Sequence, residues 1–248
     1  MRIFLIATLV LTAVCAHAQP TDARQLVLDA MEHWRGATSH ARMTMVIHRP
    51  DWQRSMKIQS WSRGNDQSLV RVVEPKKDAG TSTLIDHDSM WIFTPRVNRI
   101  IKVPSSMMAQ AWMGSDFSNK DISKSTEIID QYEHSLVKVL SEGGHSIYQI
   151  ESIPHDDAAV VWGKEVLLIR DDYVLLEQQF WSQDGGLVKV MKTLEVKEMG
   201  GRQVARTLRM ENLENAGEWT QLTTEDIEFG LELPARFFTL SNLRNPRP

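Results

Sequence analysis

The stretch ARMTMVIH, residues 41–48, alternates in side-chain character. Ala41, Met43, Met45 and Ile47 fall on one side of an extended chain, and Arg42, Thr44 and His48 on the other. A period of two predicts a strand with one buried face. Working outward, similar strand-like runs recur at short spacing over Arg54 to Arg63, Ser68 to Glu74, Thr81 to Asp86, Met90 to Thr94 and Asn98 to Val103. They resume over Ser135 to Leu140, His145 to Ile153, Lys164 to Arg170, Val174 to Ser182, Leu187 to Lys197, Gln203 to Leu213 and Gly217 to Phe229. Turn residues separate the runs, among them Gly64-Asn65-Asp66, Asp78-Ala79-Gly80, Asp184-Gly185-Gly186 and Gly200-Gly201. So many strands without long helical patterns between them predict a mostly β (α+β) fold, one large antiparallel sheet that is strongly curved or nearly closed. Val188, Val190, Leu194 and Val196 give the clearest alternation. An apolar face of that extent has to be covered by something.

Two segments are candidates for the cover. Thr21 to Arg35 has helical spacing, with Leu26, Ala30, Met31 and Trp34 on one face and Gly36 at the expected stop. The second lies in SSMMAQAWMGSDFSNKD, residues 105–121. There Ser105 or Ser106 can cap a short helix whose Met107, Met108, Ala111 and Trp112 share a face, with Gly114 ending it. Fewer than two full turns are unstable alone, so tertiary contact must hold them as a plug or lid. In one reading this Met/Trp stripe is ordinary core packing. In the other, unbranched and polarizable Met adapts to varied apolar ligands, and the stripe roofs a lipid pocket whose strands supply Met43, Met45, Met56 and Met90.

Residues 1–18 read as an export leader: Arg2, the apolar run Ile3 to Cys15, then Ala16-His17-Ala18 as a small-x-small cleavage site. Cleavage after Ala18 leaves one expected domain, residues 19–248. A lipid-modified Cys15 and an uncleaved anchor fit less well, because Val14 is large where lipoprotein processing wants a small residue and the run is shorter than the roughly 20 residues that span a bilayer. Cys15 is the one cysteine. Residues 19–248 are therefore expected to hold no disulfide, thiolate metal site or cysteine nucleophile. The formal charge of −4 becomes one unit more negative without Arg2, which argues against a nucleic-acid partner.

Patterns that carry catalysis are poor. The sequence holds no Gly-x-Ser-x-Gly elbow, no His-Glu-x-x-His and no phosphate-cradling glycine loop, so neither a catalytic residue nor a cofactor is expected. Asp86-His87-Asp88 could hold a metal through alternate side chains, but a turn between strands explains it more simply. The methionines are spread among aliphatic neighbours, which makes a copper site a minor reading.

Other residues carry a family resemblance. Ile85-Asp86-His87-Asp88-Ser89-Met90-Trp91-Ile92-Phe93-Thr94-Pro95 resembles the turn and aromatic strand of LolA-type lipoprotein carriers. Arg71 to Thr81 looks like the strand, proline turn and strand of the wider outer-membrane lipoprotein-sorting family, and Met113-Gly114-Ser115-Asp116-Phe117 with Asp121 fits that branch closely. Leu233-Pro234 and Phe238-Thr239 resemble its closing motif. The resemblance implies a half-open antiparallel barrel, LolA/LolB-like, with helices over a hydrophobic cavity that receives acyl chains in the periplasm. It makes Met43, Met45, Met56, Trp91, Phe93, Met107, Met108 and Trp112 the expected lipid contacts. It also suggests Arg71 as the latch that holds the lid, although an ungapped alignment on Pro75 puts the family's arginine position at Leu69 and a surface role for Arg71 is the alternative. Expected partners are lipoprotein acyl chains or free lipid, with an outer-membrane acceptor or an inner-membrane exporter of the resistance-nodulation-division type, the protein itself being a monomer. Two other roles remain open: an accessory docked to such an exporter, and an envelope hydrolase.

Overall fold

The computed structural model describes residues 22–246, so the expected leader, residues 1–18, lies outside the described residues. A helix, α1 (Ala23–Arg35), precedes six strands: β1 (Thr38–Arg49), β2 (Trp52–Arg63), β3 (Gln67–Glu74), β4 (Ser82–Asp86), β5 (Ser89–Thr94) and β6 (Arg99–Lys102). Residues 103–131 then form a crossing segment containing two short helices, α2 (Asn119–Ser123) and α3 (Glu127–Gln131). Seven more strands follow: β7 (Tyr132–Glu142), β8 (His145–Pro154), β9 (Lys164–Arg170), β10 (Leu175–Trp181), β11 (Leu187–Met199), β12 (Arg202–Asn212) and β13 (Trp219–Phe229). A short helix, α4 (Leu240–Arg244), ends the described chain.

All thirteen strands join one antiparallel sheet in the order β6-β5-β4-β3-β2-β1-β13-β12-β11-β10-β9-β8-β7. Each hairpin places consecutive strands side by side, and β13 returns to pair with β1. The sheet curves without closing. Its free edges are therefore β6 and β7, consecutive in sequence, and the crossing segment spans the gap between them. The turn between β11 and β12 needs positive φ at both Gly200 (58°) and Gly201 (80°), a backbone that only glycine enters without strain.

Alternation works as expected in β1, where Met45 and Ile47 are fully buried on the concave side. It misleads in β11. The register shifts between Thr193 and Glu195, and Leu194 is left 48% exposed instead of continuing the face of Val188 and Val190.

The helix α1 starts at Asp22, whose carboxylate accepts the amide N–H groups of Arg24 (3.0 Å) and Gln25 (3.3 Å). It stops at Gly36. Leu26, Val27, Ala30 and Met31 bury against Ile150, Leu167 and Ile169 of β8 and β9, with Ile128 and Ile129 of α3 alongside. Trp34, expected on that stripe, is 47% exposed at the mouth of the concave face.

Candidate functional site

Between α1, the crossing segment and the concave face lies a largely apolar cavity of about 250 Å³. Met43 of β1, Ile58 of β2 and Val70 of β3 form part of its floor, Phe180, Met210 and Leu222 a wall, and Trp112, Phe117 and Ile122 its roof. The floor follows from strand periodicity, since Ala41, Met43, Met45 and Ile47 share the inward side of β1 and pair across to Ser60, Ile58, Met56 and Arg54.

The roof is not the expected two-turn helix. Residues Ser105–Met107 and Trp112–Gly114 form separate 3₁₀ turns, and at the second the chain doubles back so that Ala111 bridges to Ser118. The physical reason lies in where the backbone groups find partners. Met107 O accepts from the Asn119 side chain at 2.9 Å, Met108 O from Lys120 N at 2.9 Å, Gln110 O from Asn119 N at 2.9 Å, and Trp112 N donates to Phe117 O at 2.7 Å. Partners across the loop replace the i→i−4 bonds that so short a helix could not hold. Met113 (φ 53°) and Gly114 (φ 79°) make the reversal.

Three polar anchors fix this roof to the sheet. The Trp112 indole N–H donates to Thr83 Oγ1 at 3.0 Å in a buried bond. Asp116, its side chain 3% exposed, accepts from the Thr220 hydroxyl at 2.6 Å and from Arg49 Nη1 at 3.0 Å. The same Thr220 oxygen accepts the Asp116 amide N–H at 2.9 Å. Asp121 closes a capping box with Ser118 and pairs with Lys189 of β11. The Lys189 ammonium also lies over the rings of Trp162 (5.0 Å) and Phe180 (5.2 Å).

One buried carboxyl lines the cavity. Glu165 of β9 is 5% exposed and accepts from Gln178 Nε2 at 2.6 Å, with the Tyr132 hydroxyl as its other side-chain partner. Burial raises its pKa to about 7, against the lowering pull of the Gln178 and Tyr132 hydrogen bonds. The Tyr132 hydroxyl is pushed well up by its own burial and by Glu165.

Among the residues expected to touch lipid, Met43, Met45, Met56, Met108 and Trp112 come together on the concave side. Met43 and Trp112 line the cavity itself, whereas Met45 and Met56 pack beneath it. Met107 is 37% exposed on the outside of its turn. Trp91 and Phe93 alternate with Met90 and Ile92, so they face the outer side, in a cluster with Leu69, Leu84, Phe238 and Leu243.

The latch expectation for Arg71 needs correcting for the same reason. Arg71 shares the outward side of β3 with Leu69, away from the roof, and donates to Asn242 O of α4 at 2.9 Å and to Ser82 Oγ at 3.2 Å. It holds the C-terminal segment. The anchors of the roof, Arg49 with Thr220 and Lys189, were not singled out by sequence reasoning. Neither was Glu165, although its period-two spacing with Leu167 and Ile169 puts a carboxylate on an apolar face.

Asp86 and Asp66 both pair with His87, at 2.9 and 3.2 Å, in a turn where His87 has φ 53°. Among the described residues no group of three or more His, Cys, Asp or Glu is arranged to hold a metal ion.

A family model whose description reads "-like: uncharacterized protein" matches residues 64–245, from the turn between β2 and β3 to just past α4. The chain belongs to that family. Its fold is that of the LolA-like, outer-membrane lipoprotein-sorting proteins. An outer membrane lipoprotein-sorting protein domain from Vibrio parahaemolyticus is 23% identical, with 90% of this chain and 98% of that one covered and a TM-score of 0.77. A DUF1329 family protein from Desulfovibrio piger is 21% identical over 89% and 97% of the two chains, with a TM-score of 0.80. A LolA superfamily protein from Nitrosomonas europaea is 22% identical over 88% and 98%, at 0.73. No curated protein sequence matches the chain. The family match takes in both the crossing segment and the C-terminal segment.

Proposed function

We propose that the protein is a periplasmic carrier that shelters acyl chains of lipoproteins or free lipids in the concave cavity and moves them toward the outer membrane, acting as a binding protein and not as an enzyme. The observation that supports this reading is an apolar cavity roofed by a segment fastened at a few polar points. A chain of about sixteen carbons would gain on the order of 12 kcal/mol from burial, at roughly 0.8 kcal/mol per methylene. Such a gain would make uptake easy and release hard. The cavity of about 250 Å³ falls below the roughly 300–1,000 Å³ of pockets that enclose drug-sized ligands. A long chain therefore has to displace Trp112 and Phe117, and breaking their anchors offsets part of the burial gain. That offset keeps cargo transferable. The LolA-like fold agrees with the role.

The test is lipid uptake by the purified protein lacking residues 1–18. Native mass spectrometry is expected to show copurified or added palmitoyl lipid, and titration is expected to change an emission component lost in Trp112→Phe, a control needed because the chain has 8 Trp. Absence of both an adduct and a Trp112-dependent change overturns the reading.

A further inference from the structure

The cavity has two polar ends of different character. At one, Glu165 is already bonded to Gln178 and Tyr132, and Lys189 to Asp121, so few hydrogen-bonding groups there are left for a ligand. At the other, α1 ends in Arg35 and three strands each carry a serine one residue from their end. Ser39, Ser62 and Ser68 sit side by side across β1, β2 and β3 in register, and all three line the cavity beside Arg35. Ser39 and Ser62 bond each other at 2.7 Å. Ser68 is only 7% exposed, and its hydroxyl has no hydrogen-bond partner among the described residues. A hydroxyl that borders a cavity and makes no hydrogen bond within the protein is free to meet a ligand atom.

Arg35 is the unneutralised cation of this end. Its Nε donates to Gly64 O at 3.2 Å and Nη1 to Ser125 Oγ at 3.4 Å, and it makes no ion pair within 4 Å among the described residues. Burial pulls its pKa down, partly offset by Asp66 nearby. The neighbouring cations are occupied: Lys120 pairs with Glu127 at 3.3 Å, and Lys124 with Glu127 and Asp88. A guanidinium with spare N–H groups next to a partnerless hydroxyl matches the acceptor oxygens of an anionic group.

We propose that Arg35, with Ser68 and the Ser39–Ser62 pair, is the headgroup site of the cavity, taking the phosphate or carboxylate of an anionic amphiphile whose tail runs under Trp112 toward Phe180 and Met210. The orientation follows from the other end, where the Glu165 carboxyl disfavours an anion. The proposal rests on the carrier reading and deepens it by naming the polar class of the cargo.

The test uses C16 probes that differ only in the head: hexadecyl phosphate, palmitate, hexadecanol and hexadecyltrimethylammonium, titrated into the protein lacking residues 1–18 at pH 8. Both anionic probes are expected to bind at least tenfold more tightly than hexadecanol, and the phosphate-to-palmitate ratio tells which oxyanion the site prefers. In Arg35→Gln the anion-to-alcohol ratio is expected to fall to within threefold, with Arg35→Lys keeping part of it. In Ser68→Ala it falls by a smaller factor, which gives a second reading should Arg35→Gln fold poorly. Binding of all four probes with no preference for an anion, or a preference that survives both Arg35→Gln and Ser68→Ala, overturns the headgroup site and leaves the carrier reading standing. Failure of all four probes to bind overturns both.

Discussion

The two sides of β3 carry similarly apolar residues, yet one is sealed and the other borders the cavity at Ser68 and Val70. On the outer side, Leu69, Leu84 and Phe93 meet Phe238 and Leu243 of the C-terminal segment, with Phe237 and Trp61 filling in around them. Arg63 lies over the Phe238 ring at 5.1 Å and donates to Leu233 O at 3.0 Å. On the inner side, Val72, Ile85 and Met90 pack with Trp112, Val70 borders the cavity, and the roof above is held by Trp112, Asp116 and Asp121. Strand alternation alone does not decide whether a face becomes core or cavity. The cover decides: large side chains pressed into a sheet close it, and a looped segment fastened by polar bonds leaves room beneath.

Three measurements break or sharpen that contrast. Phe238→Ala removes a ring from the sealed side and is expected to lower stability by about 3–5 kcal/mol, whereas Met43→Ala, which trims a side chain already bordering a void, should lose no more than about 2 kcal/mol. Urea denaturation compares the two directly, and equal losses would mean that the inner side is as tightly packed as the outer.

The next effect is electrostatic and belongs to the inner side. Glu165 keeps its proton up to about pH 7 in the folded protein but loses it near 4.5 when unfolded. Between these values the unfolded chain binds fewer protons, so stability falls as pH rises through the window, by at most about 3 kcal/mol. Glu165→Gln should flatten that part of the profile. Thermal melts from pH 4 to pH 9 that show the same slope in both proteins would remove Glu165 from the account.

The smallest effect concerns Arg71. Its bonds to Asn242 O and Ser82 predict that Arg71→Met loses about 1–2 kcal/mol and speeds hydrogen exchange in α4, with lipid retention unchanged. Altered lipid retention without faster exchange in α4 would move Arg71 to the inner side's machinery.

Much of this architecture is legible in the sequence, for reasons that also mark where legibility ends. Period two placed β1 and its inward methionines, and glycine pairs placed the hairpin turns, because both signals are local. Leu194 misled because a bulge changes register without changing composition. The roof misled because its carbonyls are satisfied by residues 118–120, a pairing that helical spacing within residues 105–114 does not encode. Trp91 and Phe93 were expected as lipid contacts from the family resemblance, while their parity in β5 against Met90 already put them on the opposite side. The two ends of the cavity need the tertiary register that aligns Ser39 with Ser62 and Ser68, residues up to 29 positions apart in sequence.

The crossing segment has a mechanical consequence. Because residues 103–131 leave from one free edge of the sheet and arrive at the other, they tether the seam of the unclosed barrel as well as roofing it. On the proposed carrier reading, the seam would gape only as far as this tether pays out, and the tether would pay out only when Trp112, Asp116 and Asp121 let go. In the proposed carrier, girth and access would thus be a single coordinate, and a swollen, loaded barrel would also be an unroofed one.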